Sequence, residues 1–120
     1  MNKVVLVGNI TRDPEMHTTQ SGITSATFDL AVQRPYKRNG ERETDFIRCV
    51  AWRQNADFAG KYIKKGFRLC VCGSIQTRSY TAQDGGKRYV TEVIVDQLEN
   101  LTPRQRDDEF VEVNDEQLPF

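Results

Sequence analysis

Apolar and polar positions alternate over most of the first hundred residues with the two-residue period of a half-buried strand. Residues 2–10 open with the apolar run Val4-Val5-Leu6-Val7 and stop at Gly8-Asn9, which predicts a first strand. Asp13-Pro14-Glu15 and Gln20-Ser21-Gly22 read as turns. From Ile23 to Val32, Ala26, Phe28, Leu30 and Val32 share one side, and Thr27, Asp29 and Ala31 the other. Arg34-Pro35-Tyr36-Lys37-Arg38-Asn39-Gly40 is too polar for a core and reads as an exposed basic hairpin tip. A third strand follows from Thr44 to Trp52. Its small apolar residues Ile47, Cys49 and Ala51 face the core, while Phe46, Arg48, Val50 and Trp52 face outward. Two aromatics beside a cation suit a nucleobase better than water.

The period changes at Asn55–Lys65, where Phe58/Tyr62 and Ala59/Ile63 are spaced by four, as on one side of a helix. Lys64 and Lys65 suit a negative helix C-terminus, and Gly66 a left-handed cap. Phe67–Tyr80 alternates again, with Leu69, Val71, Gly73 and Ile75 on one side and Arg68, Cys70, Cys72, Ser74, Gln76, Arg78 and Tyr80 on the other. Residues 82–87 form a hairpin turn, and Tyr89–Val95 returns as its partner strand. Five strands with one α-helix between strands 3 and 4 predict an all-β fold, a five-stranded Greek-key barrel of the OB-fold type. The barrel domain spans residues 1–103. Residues 104–120 carry too little apolar surface to fold alone and read as a disordered acidic tail.

Charge sharpens that division. The 120 residues balance 17 Lys and Arg against 17 Asp and Glu. Residues 1–106 hold every base but only 11 acids, an excess of six positive charges, and the last fourteen hold the other six acids. A basic body with an acidic tail therefore replaces the apparent neutrality. No apolar run approaches the roughly 20 residues of a membrane span, and the start lacks a signal-peptide core, so a cytoplasmic location is expected and no membrane partner.

Catalytic and metal chemistry find little support. His17 is the single histidine, and Cys49, Cys70 and Cys72 have neither C-x-x-C spacing nor enough companions for a metal site, so packed free thiols are expected. Gly85-Gly86-Lys87 resembles the end of a phosphate loop, but Arg88 stands where Ser or Thr belongs. Neither an enzyme nor a cofactor is expected. Cations interleaved with aromatics are the stronger pattern: Arg34 to Arg38 around Tyr36, Phe46 with Arg48, Trp52 with Arg53, and Arg78 with Tyr80. Single-stranded nucleic acid calls for that pairing, cations for phosphates and ring faces for unstacked bases. A duplex reader would offer a helix or ribbon to a groove, and the one helix here looks committed to the core.

The chain resembles the bacterial single-stranded DNA-binding protein family over nearly its whole length. The likeness rests on residues 2–10 with Asp13-Pro14-Glu15, on residues 44–52, and on Tyr62-Ile63-Lys64-Lys65-Gly66. It continues through residues 73–80, Thr91-Glu92-Val93 and the terminal Leu118-Pro119-Phe120 after Asp115-Glu116. The resemblance implies an OB fold, a homotetramer wrapped by DNA, nucleoid association, and roles in replication, recombination and repair. It implies that Tyr36, Phe46, Trp52 and Tyr80 stack on bases and that Lys3, Arg48, Lys65 and Arg78 lie along the DNA path. It also implies that Asp115, Glu116, Leu118, Pro119 and Phe120 recruit replication, recombination and repair proteins. The reading of the residues themselves adds Arg34, Lys37 and Lys87 as DNA contacts. Two departures stand out: only about a dozen residues separate barrel from tip, and Gln117 interrupts the acidic run. The charge split further predicts that the tail covers the basic face until DNA displaces it. Two rivals to this reading are an RNA-binding module of the cold-shock type and an assembly protein whose DNA affinity is incidental.

Overall fold

The computed structural model describes residues 1–102. In chain order these form β1 (Val4–Ile10), β2 (Glu15–Thr18), β3 (Thr24–Arg38), β4 (Glu41–Trp52), α1 (Gln54–Tyr62), β5 (Arg68–Thr81) and β6 (Lys87–Asn100). The expected tail, with Asp115, Glu116, Leu118, Pro119 and Phe120, lies outside the described residues.

The strands hydrogen-bond in the order β1-β5-β6-β4-β3-β2, and a further β1–β3 bridge at Asn9↔Ala31 and Ile10↔Leu30 brings the ends together. That bridge closes five long strands into an OB-type barrel, with α1 between the third and fourth long strands as expected. The ladders are antiparallel except for β4 with β6, which run parallel at Cys49↔Val93 and Val50↔Ile94. Inside sit Ile10, Ala26, Phe28, Leu30, Cys49, Ala51, Leu69, Val71, Val93 and Val95, all buried. The alternating apolar positions of β3 and β5 thus point inward. Ala56 and Ala59 of α1 and the following Ile63 are buried in the same cluster, so the helix contributes to the core.

Several local expectations need correction. Glu15–Thr18, where the sequence reading assigned only Glu15, to a turn, is strand β2; its four residues are all exposed, and backbone pairing with Thr24–Thr27 holds it. The segment 34–38, read as a hairpin tip, continues β3. The tip proper is Asn39-Gly40, whose positive φ values of 53° and 79° fit a two-residue primed turn between Arg38 and Glu41. The helix ends at Tyr62, with Ile63 already extended. Gly66 has its expected positive φ, but in the turn leading to β5 rather than directly at the helix end. Ile75, grouped with Leu69 and Val71, is 44% exposed because β5 has left the closed barrel by that point. Val50, grouped with the outward side chains of β4, is buried, flanked in register by Thr27 and Ile94. At Gly73 the β5–β6 ladder shifts register, and a Cβ there would drive into the Ile94 carbonyl.

Candidate nucleic-acid interface

Residues paired across a ladder share a face, so the register alone shows which side chains meet. On the outer face of β4, Phe46 lies opposite Ala31, Arg48 opposite Asp29, Val50 opposite Thr27 and Trp52 opposite Ser25. Val50 is also level with Ile94 of β6, which pairs with Ser74 of β5. Counting by twos from Ser74 reaches Gln76, Arg78 and Tyr80, and from Ile94 reaches Glu92, Val90 and Arg88. One outward face running across β3, β4, β6 and β5 therefore carries Phe46, Arg48, Trp52, Arg78 and Tyr80. Phe46 is 69% exposed, and Trp52 and Tyr80 are also open to solvent. Phe46 and Trp52 stand six residues apart on β4, roughly 20 Å at the rise of an extended chain. Small or polar partners such as Ala31 and Ser25 leave these rings uncovered.

Tyr36 is exposed as well, but it lies within a register shift of β3 between Gln33 and Lys37, so the ladder does not assign it to that face. Lys37, Lys65 and Lys87 are exposed and form no ion pair among the described residues. The other four expected cations all have carboxylate partners. Lys3 Nζ is 3.8 Å from Asp96, and Arg48 Nε is 3.7 Å from Asp29. Arg78 donates Nε and Nη2 to the two oxygens of Glu92, both at 3.2 Å, and the Glu92 side chain is only 8% exposed. The hydrogen bond to Glu92 and the charge behind it raise the Arg78 pKa above the usual guanidinium range. Arg34 is bound to Asp45 and Glu43. Asp45 in turn is held below the usual carboxylate range by its hydrogen bond from Arg34.

Two neighbours escaped the sequence reading. Arg88 pairs with Tyr80 across the β5–β6 hairpin, and its guanidinium meets Asp84 at 2.9 Å. Counting the hairpin register outward from residues 82–86 would have found it. Tyr89, 75% exposed, lies opposite Ser79 on the other face of the same arm. A polar cavity of about 380 Å³, lined in part by Asn9, Gln33, Arg42, Thr44 and Arg68, adjoins Ala31 beside Phe46. Among the described residues no group of three or more His, Cys, Asp or Glu side chains is placed to hold a metal ion, and no helix is long and apolar enough to cross a membrane.

Residues 1–101 match the Single-strand binding protein family. A single-stranded DNA-binding protein of Bacillus cereus is 49% identical over 105 residues, covering 87% of this chain and 62% of that protein. Single-stranded DNA-binding protein 4 of Streptococcus agalactiae is 47% identical over 120 residues, covering 99% of this chain and 86% of that protein. A solved structure described as a Plasmodium falciparum SSB complex with ssDNA superposes with a TM-score of 0.76 at 31% identity, covering 84% of this chain and 95% of that one. The chain spans about three fifths of the length of the Bacillus relatives, 62% and 61%. With nearly all of the described residues inside the family match, and with identities near one half, the chain belongs to the single-strand binding protein family.

Proposed function

We propose that this protein binds single-stranded DNA without strong sequence preference, as a binding protein and not an enzyme. The observation that carries the reading is the single outward face on which Phe46, Arg48, Trp52, Arg78 and Tyr80 come together across β4 and β5. Exposed rings offer stacking platforms to any base, and the adjoining cations offer counter-charge to phosphates. Tyr36 extends the platform along the β3–β4 arm, while Lys3, Lys37, Lys65 and Lys87 border the strand's path. The names of the Bacillus and Streptococcus relatives support the same activity.

The protein would protect exposed strands during replication, recombination and repair in the cytoplasm, at the nucleoid, as a homotetramer. Its tip, Asp115, Glu116, Leu118, Pro119 and Phe120, would recruit partner proteins, with the Phe120 ring as a handle for an apolar pocket and the Asp115 and Glu116 carboxylates for a cation.

The test is an anisotropy titration of labelled oligo-dT, oligo-U and duplex DNA of equal length at rising salt. Single-strand binding loses about 0.7 in the logarithmic salt slope per neutralised phosphate. Lys37, Lys65 and Lys87, which form no ion pair among the described residues, would alone give a slope of about −2 per subunit, and all seven expected cations about −5. Duplex bound as tightly as oligo-dT, or a slope near zero, would overturn the reading. Tighter binding of oligo-U would favour RNA. Light scattering reports the subunit number. Deletion of residues 118–120 should leave oligo-dT affinity intact or slightly tighter and abolish partner capture, and partners retained by the truncated chain would refute the tip's role.

A further inference from the structure

Arg34-Pro35-Tyr36 of β3 stand opposite the single residue Glu43 of β4, because pairing passes from Gln33↔Thr44 directly to Lys37↔Arg42. Such a bulge interrupts the ladder, and Pro35 has no N–H to offer it. Side chains of β4 supply ties in place of the ladder. Arg34 donates Nε to Asp45 Oδ2 at 3.0 Å and Nη2 to Asp45 Oδ1 at 2.9 Å, and its Nη1 donates to Glu43 Oε1 at 2.8 Å. Arg42 Nη1 reaches back to the carbonyl oxygens of Arg34 at 3.1 Å and Pro35 at 3.4 Å. Glu43 also lies 3.7 Å from Arg38, on the far side of the bulge. All three nitrogens of the Arg34 guanidinium thus donate to carboxylates, which fixes its orientation and matches its charge twice over. Three of its five N–H groups are taken, so a phosphate would have to share the guanidinium with those acids or displace one of them. The Tyr36 ring itself remains 57% exposed.

We infer that Arg34 is a positioning residue for Tyr36 and not a phosphate contact. Glu43 and Asp45 fasten Arg34, Arg42 fastens the bulge carbonyls, and together they hold the Tyr36 ring out where an unstacked base can reach it. The inference rests on the proposal that exposed rings of this protein stack on single-stranded DNA.

Full-length R34A, R34K, D45N, Y36A and the double variant R34A/Y36A are titrated with labelled oligo-dT over a range of salt. A melting curve of each variant confirms that it is folded. R34A and D45N should each weaken binding by roughly fivefold, about one weak stacking contact, with the salt slope unchanged. R34K keeps the charge but loses the fork, so it should behave like R34A. Y36A should cost less in the R34A background than in the native chain, because the ring is already misplaced there. A slope about 0.7 shallower in R34A, tighter binding by D45N, native affinity in R34K, or additive losses in the double variant would each overturn the positioning role. F46A and Y80A serve as controls for the parent reading. If they also bind normally, base stacking itself fails; if they weaken binding as expected, an adverse result at Arg34 counts against the positioning role alone.

Discussion

Truncating Phe46 separates stacking from folding more cleanly than any other change on the aromatic face. A fully enclosed phenylalanine buries about 200 Å². With 69% of its surface already in solvent, Phe46 has only about 60 Å² covered by protein. At about 25 cal/mol per Å², Phe46→Ala therefore costs at most about 1.5 kcal/mol of stability, and less against a realistic unfolded chain. Loss of one base–ring stack is worth about 1–3 kcal/mol, or about 5- to 150-fold in affinity at 25 °C. Two further variants isolate the ring. Phe46→Leu keeps most of the apolar area without the π-face and should lose nearly as much affinity as Phe46→Ala. Phe46→Trp offers a larger face and should bind at least as tightly as the native chain. The assay is anisotropy with labelled oligo-dT at fixed salt, alongside urea denaturation of each free variant. Native affinity in Phe46→Leu, with folding intact, would refute stacking at this position and reduce Phe46 to an ordinary exposed apolar residue.

Two other outcomes follow from the buried groups. Arg78→Ala strands the nearly buried Glu92 carboxylate, so it should lower the melting temperature as well as DNA affinity. Arg78→Ala with Glu92→Gln should recover the stability without recovering the affinity, and recovery of both would show that Arg78 acts only through the fold. Burial foremost, with Asp29 adding to it, pushes the Cys49 thiol up to about 12 from an ordinary value near 9. Its neutral form is favoured in the fold, so stability is fully present below about 9 and falls as rising pH ionises the unfolded thiol first. In a thiol-reagent assay at pH 8, Cys49 should react only after denaturation, whereas Cys70 and Cys72, only partly covered, should react in the native chain. Prompt labelling of Cys49 in the native chain would contradict the assigned core.

Much of this was legible where one face of an element is buried and the other is wet. Ala26, Phe28 and Leu30 declared themselves by alternation, as did Cys49 and Ala51. Where both faces meet water, alternation carries no signal. That is why β2 went unseen and why the β3–β4 arm passed for a loop, although Asn39-Gly40 marked its turn. Ile75 misled for the converse reason, since its apolar position continues a core pattern after the core has ended. The rings were found because Phe46 and Trp52 share one strand and one parity. The partners of the cations were not found, because Arg34 meets Asp45 eleven residues away and Arg78 meets Glu92 fourteen residues away, through registers that only the folded ladders set.

Those pairings change what the basic residues contribute. A free lysine that meets a phosphate releases condensed counterions, and the gain depends steeply on salt. An arginine already matched to a carboxylate must exchange one anion for another, or share its donors between them, so its net gain is smaller. Arg34, Arg48 and Arg78 are all in that position, each beside a candidate stacking ring: Tyr36 for Arg34, Phe46 for Arg48 and Tyr80 for Arg78. The acids orient the guanidiniums without adding a bare positive patch that would attract any polyanion. On the proposed function, selectivity for single strands over duplexes would then fall to the rings, because only an unpaired strand can present its base faces to Phe46, Trp52 and Tyr80. The proposed indifference to sequence would have the same origin, since every base has a face to stack.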